Sequence, residues 1–140
     1  MRQLAAVLLS CTLFSAVLLT SSPSEAYADV SGQAVVEDAR SYIGTSYGAS
    51  GMDCSGFTSA VFANLGVYLP DSPGGQYAYG TPSSAKAGDL VFFDEHGYGI
   101  SHVGIATGYG TVIHASTYYG AVVESSIEYI PGYVGAVDAY

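Results

Sequence analysis

The stretch Ser101-His102-Val103-Gly104-Ile105-Ala106-Thr107-Gly108-Tyr109-Gly110-Thr111-Val112-Ile113-His114-Ala115-Ser116 reads as two β-strands around a glycine-bearing loop. β-Branched and small residues fill both arms, and Gly108 and Gly110 offer left-handed positions for a tight turn. A three-residue loop sets Thr107 opposite Thr111, so His102 faces Ser116 and His114 faces Gly104. The two histidines then share one face as diagonal neighbours. A two-residue loop would place them on opposite faces. Core packing favours the first register, which buries Val103, Ile105 and Ile113 together. The other face carries His102, Gly104, Ala106, Val112 and His114, whose small residues leave room for a helix end to bring in a nucleophile. A lone strand histidine is more often structural; two on one face beside a capped cysteine point to catalysis.

That cysteine lies upstream, in Gly51-Met52-Asp53-Cys54-Ser55-Gly56-Phe57. Asp53 is a good N-cap, and Phe57, Val61, Phe62 and Leu65 recur at helical spacing until Gly66, a natural stop. Cys54 is therefore expected at the first helical position, where free N–H groups and the helix dipole favour a thiolate. Asp53 partly opposes that effect. The plainer reading of Cys54 is an inert core thiol.

Between the helix and the hairpin, Asp71-Ser72-Pro73-Gly74-Gly75-Gln76 reads as a surface loop, Asp89 to Phe93 as a buried strand and Asp94 to Gly99 as a loop holding His96. His96 reads as surface. Toward the N-terminus, Ser31 caps a helix with Val35, Ala39, Tyr42 and Ile43 on one face, ended by Gly44. Ala121 to Glu124 and Tyr133 to Val137 add edge strands. Helices first and strands later imply an α+β fold with helices packed on an antiparallel sheet.

Residues 1–28 have the pattern of a signal peptide: Arg2, an apolar run from Leu4 to Leu19, and Ala26-Tyr27-Ala28 as a small-x-small cleavage site. The run is short for a bilayer and is broken by polar residues, so export with no stable membrane association is expected. Cleavage would leave 112 of 140 residues, one domain over 29–140. Cys11 would leave with the leader, making Cys54 the sole thiol of an exported chain and excluding an internal disulfide.

The remaining chain has two cations, Arg40 and Lys86, against eleven acids. Such a surface repels polyanions, which argues against nucleic acid as a partner. Tyrosine supplies contact surface without charge, suited to glycan or peptide ligands. The three histidines lack metal-ligand spacing, so no metal or other cofactor is expected.

The motifs Asp53-Cys54-Ser55-Gly56-Phe57, Gly88-Asp89-Leu90-Val91-Phe92-Phe93, His102-Val103-Gly104-Ile105 and Ile113-His114-Ala115 together resemble, in order, the NlpC/P60 family of papain-like cell-wall cysteine peptidases. The resemblance implies that Cys54 is the nucleophile, His102 its base and His114 the residue orienting the His102 ring. It implies a secreted, monomeric peptidase acting in the cell wall on peptidoglycan stem peptides, commonly next to D-glutamate. It also implies substrate contacts from Tyr47, Asp53, Ser55, Ser72 and Gln76, although Asp53 can equally be only a cap. Asp71 stands where the family often has arginine, and the loop before the cysteine is shorter. Amidase or acyl-transfer chemistry in the same architecture, or a catalytically silent wall-binding module, are the alternative functions.

Overall fold

The computed structural model describes residues 30–140; the expected leader, residues 1–28, lies outside the described residues. Two capped helices come first. Ser31 Oγ accepts from Ala34 N–H to open α1 (Gly32–Ser41), and the Asp53 carboxylate accepts from Gly56 N–H to open α2 (Cys54–Asn64). α1 buries Val35, Val36 and Ala39 and ends before Ile43, which is nearly half exposed rather than part of the buried face. α2 buries Phe57, Val61 and Phe62 and stops at Gly66, whose φ of +83° lets Val67 N–H turn back to the Phe62 carbonyl at 2.9 Å.

The stretch expected to be a loop at 71–76 instead enters a short helix, α3 (Pro73–Tyr79). Ser72 Oγ caps Gly75 N–H at 3.0 Å, and Pro73 occupies a first-turn position where its missing N–H costs nothing. Proline and two glycines looked like turn residues, but the proline serves as a helix start.

Six strands form one sheet: β1 (Thr81–Ser83), β2 (Leu90–Phe93), β3 (His102–Ala106), β4 (Thr111–Ser116), β5 (Ala121–Ser126) and β6 (Tyr133–Asp138). Their spatial order is β1-β6-β2-β3-β4-β5, and every pairing is antiparallel. β5 is an edge strand as expected. β6 is not: it lies between β2 and β1, a short edge strand that carries little sequence signal. In the hairpin Ile105 faces Ile113 and Ala106 faces Val112, with Thr107 N–H on the Thr111 carbonyl at 3.0 Å. This is the register of the three-residue loop.

The sheet is apolar on both faces. One carries Leu90, Phe92, Val103, Ile105 and Ile113 against Val35, Phe57, Val61 and Phe62 of the helices. The other gathers Val91, Phe93, Ala106, Val112 and Ala136 under Ala85, Ile127 and Ile130. The helices therefore cover the Val103 face, not the histidine face as expected from its small residues. Strand β2 explains the choice, because its larger pair, Leu90 and Phe92, shares the helical side, while the chain after β5 returns to cover the other. No helix among the described residues is long and apolar enough to cross a membrane.

Candidate active site

Cys54 lies against the backbone at the start of β3, the strand that opens on His102. As the first residue of α2 it is half-buried against the helical core, and its Sγ lies 3.9 Å from the Ser101 carbonyl oxygen. The backbone N–H of Val103 also points at the thiol. The sulfur thus meets the peptide groups on both sides of His102. Gly56 makes this approach possible: a Cβ there would lie 1.9 Å from the Gly51 carbonyl oxygen, so only glycine lets the preceding loop fold onto the first turn of α2.

His102 and His114 are both buried, and their rings stand nearly perpendicular with centroids 5.0 Å apart. His102 Nε2 and His114 Nδ1 are 2.8 Å apart, and His114 Nε2 lies 3.0 Å from Ser125 Oγ. One ring nitrogen, His102 Nδ1, is left outside this chain; Glu95 Oε1 lies 3.7 Å from it. The line of polar groups therefore runs Ser125, His114, His102 and ends at Nδ1. Sequence reasoning missed Ser125 and Glu95, since a serine in an edge strand and a glutamate in a loop carry no motif.

Gly104, opposite His114, is also held to glycine by close packing. A Cβ at Gly104 would sit 2.4 Å from Val112 Cγ2 and 2.9 Å from both His114 Cβ and the Ile113 carbonyl oxygen. Gly104→Ala should therefore push β4 outward and separate the two rings, at a cost of about 1–3 kcal/mol. Chemical denaturation, with the imidazole NMR signals as a second readout, tests this; an unshifted pair of ring signals would contradict it.

Burial sets the protonation of the site. It pushes His102 down to about 4, helped by its neighbour His114, and pushes His114 down to about 4 as well. Both are neutral at pH 7. Burial also raises the Cys54 thiol; the Val103 N–H opposes this, Asp53 adds to it, and the N–H groups of Ser55 and Cys54 oppose it. The helix-start thiolate expected from sequence is thus overturned by desolvation. The resting pair is thiol and neutral imidazole.

A stability consequence follows. In the unfolded chain these histidines bind protons near pH 6.5, while the folded state resists protonation until about pH 4. The unfolded state therefore binds more protons between these values, and stability is full above pH 6.5 and lost as pH falls toward 4. We expect Tm to drop by at least about 5 °C across this window, and by less in His114→Asn. Thermal melts at fixed ionic strength check it; equal pH slopes in the two proteins would refute the assignment.

Among the residues expected to contact substrate, Tyr47 is exposed, and its phenol pKa is raised by burial and then by the charges of Cys54, Asp53 and Glu95. Its backbone is pinned by an N–H bond to the Gly120 carbonyl. Asp53 is exposed and caps α2, with one Oδ1 taking Gly56 N–H at 2.7 Å. Ser55 is buried, its hydroxyl directed to the same Asp53 oxygen at 3.4 Å. Ser72 is occupied as the cap of α3. Gln76 is fully buried, accepting from Thr58 Oγ1 and donating toward the Ser55 and Pro70 carbonyls and Ser59 Oγ. It ties α3 to α2 and does not face the cleft, contrary to expectation. A glutamine four residues after a helix cap points back at its neighbour helix, which sequence spacing alone did not reveal.

The NlpC/P60 family profile matches residues 40–132, a span that holds the thiol, both histidines and every strand but the last. The chain belongs to the NlpC/P60 family. A probable endopeptidase of Corynebacterium glutamicum is 41% identical over 128 residues, covering 86% of this chain and 60% of the relative. Gamma-DL-glutamyl hydrolase of Bacillus subtilis is 45% identical over 93 residues, 59% of this chain and 22% of the relative. The chain thus spans less than two thirds of these curated relatives. The crystal structure of the NlpC/p60 domain of peptidoglycan hydrolase SagA superposes with a TM-score of 0.68 at 39% identity, over 78% of this chain and 99% of that one. The α+β architecture is that of NlpC/P60 domains.

Proposed function

We propose that this chain is an exported cysteine peptidase that hydrolyses peptide bonds in peptidoglycan stem peptides, with Cys54 as nucleophile, His102 as general base and acid, and His114 as the orienting residue. The observation that carries the reading is the 2.8 Å contact between His102 Nε2 and His114 Nδ1, made at the point where the Cys54 thiol meets the backbone on both sides of His102.

The chemistry fixes the tautomers. For His102 Nδ1 to take the thiol proton it must carry a lone pair, so the ring proton sits on Nε2 and is donated to His114 Nδ1. His114 then carries its own proton on Nε2 and donates it to Ser125 Oγ. Cys54 Sγ attacks the peptide carbonyl as its proton passes to His102 Nδ1. The oxyanion is met by the Cys54 backbone N–H, which has no acceptor within the helix, and by the Tyr47 phenol. Collapse breaks the C–N bond; the amine leaves with the proton from His102 and a thioester remains on Cys54. Water, deprotonated by His102, cleaves the thioester and restores the thiol.

Likeness to a peptidoglycan hydrolase domain supports the wall substrate, and likeness to a gamma-DL-glutamyl hydrolase supports cleavage beside D-glutamate. The leader pattern at residues 1–28 supports export, and the acidic balance supports a substrate other than nucleic acid. A stem peptide with γ-linked D-glutamate should be cut at the γ-carboxyl, and its L-glutamate diastereomer much more slowly. Mass spectrometry of both digests tests this; equal cleavage would remove the D-glutamate preference.

A further inference from the structure

In the proposed reaction the thiol proton moves to His102 Nδ1, and the ring becomes a cation in a buried site. Burial, with His114 beside it, resists that cation and holds the resting ring down to about 4. A fixed negative charge facing Nδ1 would therefore ease the step.

The groups around the ring leave one carboxylate for this part. From β4, His114 Nδ1 meets the other ring nitrogen at 2.8 Å and is itself neutral at pH 7. At the start of α2, Cys54 gives up the proton, and the Asp53 carboxylate is engaged by Gly56 N–H at 2.7 Å. On the walls of the cavity that His102 shares, Glu124 is bound to Arg40 at 2.6 Å, and Tyr118, Tyr119 and Tyr129 bring hydroxyl groups. Glu95, from the loop between β2 and β3, places Oε1 3.7 Å from His102 Nδ1, its only ion-pair partner among the described residues.

That distance is longer than a hydrogen bond but well within the range over which a charge acts on a titrating ring. The carboxylate thus leaves the Nδ1 lone pair open to the thiol proton and does not retain the proton afterwards. The loop fixes the spacing. Asp94 accepts Gly97 N–H at 2.7 Å and Gly99 N–H at 3.2 Å, and its own N–H is held on the Gly132 carbonyl at 2.7 Å. Glu95 N–H donates to Ser101 Oγ at 3.2 Å, and Ser101 N–H donates to the Phe93 carbonyl at 2.9 Å, so the loop is tied to the residue next to His102.

Resting on the peptidase reading above, we infer that Glu95 is a positioning residue for proton transfer, its carboxylate being the fixed counter-charge that stabilises the protonated His102 ring without touching substrate. The contact gains strength only while the ring is charged, so it belongs to the reaction step and not to substrate binding.

Glu95→Gln keeps the size of the side chain and removes its charge. On a defined stem peptide kcat should fall about fivefold with KM unchanged, the effect of a partly exposed ion pair. Glu95→Asp should keep more activity than Glu95→Gln, and Glu95→Lys should keep less. A second readout needs no substrate: in Cys54→Ala, NMR titration of the His102 ring should move to lower pH by about half to one unit when Glu95→Gln is added. A loss that falls on KM, a His102 titration that Glu95→Gln leaves in place, or equal kcat in Glu95→Asp and Glu95→Lys overturns the inference and leaves the peptidase intact. A His102 titration that moves as stated in a protein whose parent cuts no stem peptide overturns the peptidase reading itself.

Discussion

Cys54→Ala and Cys54→Ser are each expected to lower kcat/KM on a stem peptide by about a thousandfold or more with the fold unchanged. The size of the effect comes from the chemistry: without the thiol no thioester forms, and the remaining groups give only oxyanion stabilisation and binding. Serine does not rescue. Its hydroxyl is a far weaker acid than the thiol, and burial that already raises the thiol penalises an alkoxide more. Cys54 is half-buried at a helix start, where alanine and serine fit, so circular dichroism and melting temperature should stay close to those of the parent. A variant that still cleaves within about tenfold of the parent would remove Cys54 from the mechanism.

The second large effect separates the two histidines. His102 must accept a proton from sulfur and return it to the leaving amine, which no amide side chain can do, so His102→Asn and His102→Gln should be as inactive as the cysteine variants. His114 only accepts the hydrogen bond from His102 Nε2, and an amide oxygen can do the same. His114→Asn or His114→Gln should therefore retain activity within about a hundredfold of the parent. The Ser125 hydroxyl, 3.0 Å from His114 Nε2, can then accept from the amide nitrogen in the ring's place. Steady-state kinetics on one defined peptide decides the matter. Equal intolerance at both positions would give His114 a larger part than orientation, and tolerance at His102 alone would exchange their roles.

Much of the site was legible because its parts obey short-range rules. The Asp53 cap and the 57-61-62-65 spacing located α2 and put Cys54 at its first position, and the glycine-bearing hairpin loop fixed the register that pairs the histidines. What escaped depended on long-range packing. The side of the sheet taken by the helices was decided by Leu90 and Phe92, which the hairpin alone does not show. The interior position of β6 follows from β1, three residues long and mostly exposed. Gln76 looked available for substrate, yet its amide is consumed between α2 and α3. The thiol's acidity was read from the helix start, a local effect, while burial by distant residues outweighed it. Glu95 and Ser125 meet the histidines only through the fold, from a loop and an edge strand.

The central claim is that one thiol, served by two histidines, cuts peptide bonds in the cell wall. Digestion of purified peptidoglycan by the parent protein and by Cys54→Ala, followed by mass spectrometry of the soluble fragments, tests it most directly. The account predicts fragments ending within the stem peptide, each cut leaving a new carboxyl on one product and a new amine on the other, from the parent alone. Fragments cut in the glycan, or the same fragments from both proteins, would contradict it.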